Sequence, residues 1–359
     1  MRNIKLKIKY QKNNTPIILR VVKHISLFDR KNSILLSDQI TSAWGYQVIA
    51  NNTNELNEGD IVRISQQGDC FLLWKYGSVH NSLFTTGACN VRCKMCPQPP
   101  TKDDSTLHEQ NLKILKLLKY DPKVICISGG EPTLFPERII DYFNYINKHF
   151  PSCQVDILTN AINLSDFQTA KNLALTAPLR TTFCVSLHAD TADLQREING
   201  VANGFNRTVQ GIMNLAKLRQ RIEIRPVITQ QNYQYLSDIA LFFYRNFPFA
   251  DHIAFMGQEI IGYAARHFEN IWVDPLDYQQ ELCKSIDILD QKGMNVSVYN
   301  IPLCLLPTHY RKFARRSISD WKQGNLPICK NCSVLTECCG VFLTSGSKQS
   351  RGITPVTGV

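Results

Sequence analysis

The sequence of 359 residues is 44% hydrophobic and 19% charged, and its formal net charge is +10. This length suits one large domain with appendages, or two domains. The first nine residues alternate charged and apolar side chains and lack the apolar run of a signal peptide, and no apolar run approaches the ~18 residues of a membrane span. These features argue against export and membrane insertion, so we expect a cytoplasmic protein.

The excess positive charge is scattered along the chain, which argues against a nucleic-acid interface. A solvated surface is the simpler interpretation of the one dense basic patch, which contains Arg311, Lys312, Arg315 and Arg316. Acidic cofactors or an acidic redox partner are alternative uses of the positive charge.

Residues 1–80 contain short strand-like runs separated by polar turns, which predicts a small β-rich domain. These runs lie at 4–10, 16–22, 34–36, 46–49, 60–64 and 70–76.

Beyond residue 80 the pattern changes to β-rich apolar runs that alternate with helical spacing. Asp274 and Pro275, for example, predict the N-cap and first turn of a helix. Strands that alternate with helices predict parallel strands joined by right-handed crossovers. Pro226 is awkward in the fifth run because it cannot donate to a sheet, so it marks a bulge or the end of that strand. The six runs lie at 83–86, 124–128, 155–159, 182–187, 222–228 and 252–255.

Thirteen cysteines, an odd number without an export signal, do not indicate disulfides. Cys89, Cys93 and Cys96 follow the first predicted strand of the alternating region, and residues 129–131 (Gly-Gly-Glu) follow the second. Chemistry in parallel α/β proteins collects at these strand ends. Three thiolates leave a four-iron cluster with one open iron, although a three-thiolate zinc site or chance spacing would give the same pattern.

Four more cysteines near the C-terminus are too closely spaced for a core explanation. Cys329, Cys332 and Cys338 form a Cys-x2-Cys-x5-Cys pattern with Cys339 adjacent, and Cys304 is available as a distant fourth ligand. Four thiolates predict an auxiliary four-iron cluster or a structural zinc site. The remaining cysteines are interpreted as buried small hydrophobic residues: Cys70, Cys126, Cys153, Cys184 and Cys283.

The Cys-x3-Cys-x2-Cys loop and the Gly-Gly-Glu segment resemble those of the radical S-adenosylmethionine (radical SAM) superfamily. Residues 60–345 further resemble the C-type maturase of His-Xaa-Ser repeat peptide systems, through residues 96–100, 254–259, 272–275 and 329–342. One departure is Cys339 with Val341, where a glycine and an aromatic residue are expected.

The resemblance implies an α/β protein built on a partial (β/α)6 TIM-like barrel at residues 81–290. It also implies the small β domain at 1–80 and an auxiliary-cluster extension at 291–345. The composition of the last residues, 346–359, is rich in Gly, Ser and Thr and predicts a disordered tail.

The resemblance also implies roles for individual residues. Cys89, Cys93 and Cys96 would hold the four-iron cluster, whose open iron binds S-adenosylmethionine (SAM). Cys338, rather than Cys339, would complete the auxiliary site with Cys304, Cys329 and Cys332. The residues implied to contact SAM are Gly129, Gly130, Glu131, Met95, Asn160, Ser186 and His188. A structural ion pair is the simpler interpretation of Arg225, and we assign no side chain as catalytic because the cofactor-derived radical abstracts hydrogen.

The function implied is reductive cleavage of SAM, followed by modification of a ribosomally made His-Xaa-Ser repeat peptide. The implied partners are that peptide, a second radical SAM maturase and a flavodoxin- or ferredoxin-type electron donor. Two alternatives remain open: a radical SAM enzyme that acts on RNA, and a non-catalytic partner with the same fold that delivers peptide or electrons.

Overall fold

The computed structural model describes residues 2–4, 7–9, 16–23, 32–36, 47–50 and 55–358. Parts of the predicted strands at 4–10 and 46–49 therefore lie outside the described residues. Within the described part, no helix is long and apolar enough to cross a membrane.

The N-terminal region forms a seven-stranded mixed sheet with strand order β1-β7-β6-β3-β4-β5-β2. Its strands are β1 (Arg2–Ile4), β2 (Lys7–Lys9), β3 (Ile17–Val22), β4 (Ser33–Leu36), β5 (Gln47–Ala50), β6 (Ile61–Ile64) and β7 (Cys70–Trp74). Ile18, Ile61 and Trp74 join the apolar core of the main domain, and the Trp74 indole N–H donates to the Tyr120 hydroxyl at 2.9 Å. This sheet is therefore packed against the main domain.

The main domain is built on eight parallel strands that lie side by side in sequence order. The strands are β8 (Ser82–Phe84), β9 (Val124–Ser128), β10 (Gln154–Thr159), β11 (Thr181–Val185), β12 (Arg221–Ile224), β13 (His252–Met256), β14 (Val296–Tyr299) and β15 (Ala314–Arg315). The six predicted strands correspond to β8–β13. Pro226 lies beyond the end of β12, so it terminates the strand.

The barrel prediction is correct in its parallel strand order but incomplete in its extent. β14 and β15 add two strands after residue 290, where the sequence predicts only the extension. In the described chain β8 and β15 are opposite edges of one sheet, so the barrel is open.

Helices cover one face of the sheet and supply its apolar core. In α2, for example, Ile139, Tyr142, Phe143 and Ile146 repeat at helical spacing and are fully buried. The helices are α1 (Thr106–Leu117), α2 (Pro136–His149), α3 (Phe167–Thr176), α4 (Ala192–Asn199), α5 (Gly204–Lys217), α6 (Leu236–Asn246), α7 (Tyr263–Arg266), α8 (Phe268–Ile271) and α9 (Pro275–Gln291). Short 3-10 helices lie at Pro132–Leu134, Asn163–Ser165, Tyr233–Tyr235, Leu303–Leu305, Thr308–Phe313, Pro327–Asn331 and Leu343–Ser345.

The C-terminal region adds a two-stranded antiparallel sheet of β16 (Gln323–Gly324) and β17 (Val341–Phe342). The segment that follows, residues 346–358, differs from the predicted disordered tail. The Ser350 hydroxyl and the Arg351 backbone N–H donate to the Asp274 carboxylate at 2.7 and 2.9 Å, and Arg351 pairs with Asp277. Composition misses this because the order comes from acceptors at the start of α9 and from the burial of a single apolar side chain, Ile353, in the main core.

Asp274→Ala should loosen this C-terminal segment and shorten α9 at its start. Asp274 is 7% exposed, and it also caps α9 by accepting the Leu276 N–H at 3.0 Å. Losing the cap and the two further bonds should lower the free energy of unfolding by about 2 kcal/mol. Limited proteolysis should then cleave within residues 346–358 much faster. Asp277→Ala is the control, because it loses only an exposed ion pair worth about 0.5 kcal/mol; equal cleavage of the two variants would contradict the prediction.

Candidate cofactor site and cysteine recess

The cysteine loop (residues 85–96) and the glycine loop (residues 129–131) are hydrogen-bonded backbone to backbone. The Gly130 N–H donates to the Thr86 carbonyl at 2.7 Å, and the Glu131 N–H donates to the Ala88 carbonyl at 2.8 Å. A Cβ atom on Gly130 would lie 2.1 Å from the Ala88 oxygen, and one on Gly129 would lie 2.6 Å from the Thr86 oxygen. The glycines therefore let the backbone of the cysteine loop approach, whereas the sequence predicted that they admit a ligand.

A partly buried ion pair supports the cysteine loop. Arg138 on α2 forms a bidentate pair with Asp103 at 2.9 and 2.6 Å, and it also donates to the Thr85 carbonyl at 3.1 Å. Asp103 in turn accepts the Thr86 hydroxyl at 2.6 Å. The hydrogen bond from Arg138 lowers the pKa of Asp103. Sequence reasoning missed this pair, since nothing in the spacing of residues 103 and 138 links them.

The structure places Cys89, Cys93 and Cys96 close enough for their charges to interact. Burial, with a smaller contribution from neighbouring thiols, raises the pKa of Cys89 to about 11 and of Cys93 to about 12; burial also raises the pKa of Cys96. Such thiols are protonated at neutral pH until a bound metal displaces the protons. Within the described residues, no three His, Cys, Asp or Glu side chains converge tightly enough to hold a single metal ion.

Met95 lies inside a small apolar cluster of the protein, and its contact with a cofactor stays a prediction. It is 6% exposed and belongs to a cluster with Ile198, Ala264 and Ile271. Between two ligand cysteines, it anchors the cysteine loop to the neighbouring helices.

Glu131 is also buried, and its carboxylate accepts hydrogen bonds from other groups of this chain. Oε1 accepts the Thr133 N–H at 3.0 Å and the Thr133 and Thr159 hydroxyls at 2.6 Å each, while Oε2 accepts the Asn160 N–H at 2.6 Å. Burial raises its pKa, and these donors oppose that shift. The carboxylate predicted to receive SAM therefore joins the ends of β9 and β10.

The other residues predicted to contact SAM, namely Asn160, Ser186 and His188, fall into two groups. Asn160 and Ser186 lie at the carboxyl ends of β10 and β11, and the Asn160 side chain donates to the Asn90 side chain in the cysteine loop at 2.7 Å. His188 is 3% exposed, and its Nδ1 accepts the Val227 N–H at 3.1 Å. Burial lowers the pKa of His188 to about 4, so its imidazole is neutral. It connects the ends of β11 and β12, and its implied contact with SAM stays a prediction.

The sheet face opposite the helices carries a charged network that sequence reasoning only partly anticipated. Arg225 pairs with Glu223, as expected, and Glu223 also bonds His252 at 2.7 Å and accepts the Tyr299 hydroxyl at 3.1 Å. Burial opposes ionisation of Glu223, but the hydrogen bond from His252 and the charge of Arg225 lower its pKa to about 2. The network comes from alternate residues along β12–β14. The period-two alternation of these strands was therefore the sequence signal from which the network could have been predicted.

The C-terminal cysteines surround a second recess, of about 360 Å³ of space free of protein atoms. Four of them line it: Cys304, Cys329, Cys332 and Cys338. Backbone N–H groups donate to two of the sulfurs, from Leu303 and Gly340 to Cys338 and from Val356 to Cys332, all at 3.4 Å. This cysteine recess brings together the four residues that the sequence predicted.

Cys339 differs from Cys338 in environment. It is 4% exposed and absent from the recess lining. A hydrogen bond from Cys339, together with the two N–H donors, lowers the pKa of Cys338 to about 6. Cys338 is therefore the better ligand of the pair.

Comparison with known proteins identifies the domain that carries the first site. Residues 83–243 match the sequence model of the radical SAM superfamily. This segment is similar to radical SAM domains.

The solved structure of SuiB from Streptococcus suis bound to SAM is similar in fold to this chain, with a TM-score of 0.50 and 18% sequence identity. The similarity covers 64% of this chain and 51% of SuiB, so it spans about half of that protein. anSMEcpe with bound SAM and a peptide is 18% identical over 60% of this chain and 62% of its own, with a TM-score of 0.48. A search of curated protein sequences gives no significant match.

The radical SAM domain implies a four-iron cluster and SAM, and the residues present fit the cluster. Three half-buried thiols stand on one loop at the carboxyl end of β8, and soft thiolates are the ligands that iron–sulfur clusters use. The cysteine recess has the same donor chemistry with a fourth thiol.

Gly130→Ala should separate the two loops, because the new methyl group would overlap the Ala88 carbonyl. We expect loss of the iron held by the cysteine loop and about 2 kcal/mol of stability, measured by iron content after anaerobic reconstitution and by thermal unfolding. Gly77→Ala is the control, because its Cβ meets nothing within 4 Å and only its φ of +72° is strained. Full iron content in Gly130→Ala would show that the close approach is dispensable.

The variants Cys338→Ser and Cys339→Ser should show which of the two neighbouring thiols binds metal. We expect Cys338→Ser to lose the metal of the cysteine recess and Cys339→Ser to retain it, because only Cys338 lines the recess. Elemental analysis for iron and zinc gives both the amount and the identity of the metal. Loss in Cys339→Ser alone would reverse the assignment.

Proposed function

We propose that the protein is a radical SAM enzyme that modifies a ribosomally made peptide of the His-Xaa-Ser repeat type. The observation that carries the proposal is the backbone pairing of the cysteine loop with the glycine loop at the carboxyl edge of a parallel sheet. When bound, the cluster and SAM supply a 5′-deoxyadenosyl radical that abstracts hydrogen from the substrate.

Residues of this chain would hold the cluster and SAM in place. Cys89, Cys93 and Cys96 would bind the cluster, and Glu131 fixes the strand ends beside it. Asn160 and Ser186 remain candidates for SAM contacts on the rim. Because the charged network around Glu223 makes the inner sheet face polar, it suits a polar substrate such as a peptide.

The peptide class rests on two supports. The segments at 96–100, 254–259, 272–275 and 329–342 resemble the C-type maturase of His-Xaa-Ser systems. SuiB has also been crystallised with its precursor peptide SuiA. A second radical SAM maturase as partner follows from the resemblance alone, and a cytoplasmic location is the expectation from the sequence.

The cysteine recess would hold an auxiliary four-iron cluster, with structural zinc as the alternative. Lys312, Arg315 and Arg316 form no ion pair within the described chain, and the charge of Arg316 acts on Cys338. Uncompensated positive charge beside an electron-carrying site suits an acidic flavodoxin- or ferredoxin-type donor.

The test is SAM cleavage by the anaerobically reconstituted protein, with 5′-deoxyadenosine measured by chromatography. We expect product in the presence of dithionite and a His-Xaa-Ser repeat peptide, and at least a hundredfold loss when Cys89, Cys93 and Cys96 become alanine. Cys283→Ala, which removes a thiol on α9, should retain full activity.

The same experiment distinguishes the alternatives. Stimulation by tRNA instead of the peptide would favour an RNA-modifying enzyme. A fully loaded cluster that yields no 5′-deoxyadenosine, with either substrate added, would contradict catalysis and favour the non-catalytic partner.

A further inference from the structure

The parallel sheet leaves a gap between its two edge strands, and a short segment of the chain reaches across that gap. β8 and β15 are these edges, and they do not pair with each other in the part of the chain that the structure describes. The segment between β15 and β16, residues 316–322, begins at one edge; we call it the strap. The strap therefore starts beside the open side of the barrel.

The base of the strap is fixed on the side of the gap that β13 and β14 supply. The Ser317 N–H donates to the Asn300 side chain at 2.9 Å, just beyond the end of β14, and Ile318 is buried. Lys322 donates to the Glu259 carboxylate at 2.8 Å, beyond the end of β13. Partly buried contacts thus hold both ends of the strap.

The tip of the strap is a tight turn that contacts the segment leading into β8. The turn is closed by the Lys322 N–H, which donates to the Ser319 carbonyl at 2.8 Å. The Asp320 carboxylate accepts the Ser78 hydroxyl at 3.0 Å, and its other oxygen lies 3.8 Å from His80 Nε2. Because Ser78 and His80 precede β8, the Asp320 contact joins the two sides of the gap.

This contact is exposed and has little apolar support. The Asp320 side chain is 40% exposed, and the neighbouring Val79 and Trp321 are 43% and 49% exposed. Among the described residues, no other hydrogen bond or ion pair joins the strap to the segment before β8. Exposed hydrogen bonds and ion pairs contribute little to stability, so the tip should open far more readily than the base.

The gap leads to the inner face of the sheet, which is the face opposite the helices. Alternate side chains on this face keep partial exposure, among them Cys126 on β9, Asp156 on β10 and Tyr299 on β14. The face is therefore in contact with open space and is not a packed core. A molecule that enters this space from the side must pass between β8 and β15, where Asp320 closes the gap.

We propose that the Asp320 contact is a latch on the open side of the barrel, and that the substrate peptide reaches the inner sheet face when the latch opens. A peptide continues on both sides of the residue that reacts, so a side opening accommodates it better than a closed pocket does. Loops that close over a substrate commonly control access in this way. The inference rests on the proposed function, because it takes the entering substrate to be a peptide.

Asp320→Ala tests the latch, because it removes the carboxylate that joins the two sides of the gap. The probe is a fluorescein-labelled synthetic peptide with three His-Xaa-Ser repeats, mixed by stopped flow with the anaerobic, cluster-loaded protein and SAM. Since the peptide enters and leaves through the same opening, both rate constants should rise three- to tenfold while Kd stays nearly constant. Ser78→Ala removes the hydrogen bond from the other side and should change both rate constants in the same direction.

Asp69→Ala is the matched control. It removes another exposed aspartate that accepts a serine hydroxyl, from Ser65 at 3.3 Å, at the end of β7 remote from the latch. Both rate constants should then equal those of the unaltered protein. Unchanged rate constants in Asp320→Ala would overturn the latch, as would a weaker Kd caused by faster dissociation alone, since that result assigns Asp320 to peptide binding.

Hydrogen exchange without peptide separates the latch from the proposed substrate. In Asp320→Ala we expect faster amide exchange over residues 319–323 than in the unaltered protein and in Asp69→Ala. Unchanged exchange in these residues would overturn the latch itself. Failure of the peptide to bind any of the proteins would instead overturn the proposed substrate, and its passage through the gap with it.

Discussion

The hydrogen bonds between the cysteine loop and the glycine loop are the constraint on which the candidate site depends. Each loop follows a different strand, and the apolar contacts of Met95 fix only the end of the cysteine loop. The N–H groups of Gly130 and Glu131 hold its beginning to the end of β9. A backbone contact this close is possible only where the side chain is a hydrogen atom, which explains two consecutive glycines.

Glu131 extends the same constraint to the next strand. A buried carboxylate is costly unless donors surround it, and here four donors do so, from Thr133, Thr159 and Asn160. The Asn160 side chain then donates a hydrogen bond to the Asn90 side chain, which links this network back to the cysteine loop. Three strand ends are thus joined through one carboxylate, and removing it would leave several buried donors without partners. Its contribution to the site is positioning.

The sequence predicts the order of the parallel strands and the grouping of the cysteines well, because both depend on local patterns. Strand β9 and the start of α9 coincide with their predicted positions, and the four recess cysteines follow from spacing. The roles implied for Met95, Glu131 and His188 stay predictions. The burial of these side chains and their partners within the chain depend on tertiary packing, which a motif position does not reveal. Local patterns also could not reveal β15 or the Arg138–Asp103 pair, which depend on tertiary packing.

The C-terminal segment connects the regions that the sequence treats as separate. Asp274 at the start of α9 holds Ser350 and Arg351, and a few residues later the backbone of Thr354 and Val356 donates to the sulfurs of Cys304 and Cys332. Amide donors stabilise charged sulfur, so metal in the cysteine recess would favour the ordered segment. Because the contacts at Asp274 and those at the cysteine recess share one short stretch of chain, metal in the recess would also stabilise the hydrogen bonds that Ser350 and Arg351 donate to Asp274.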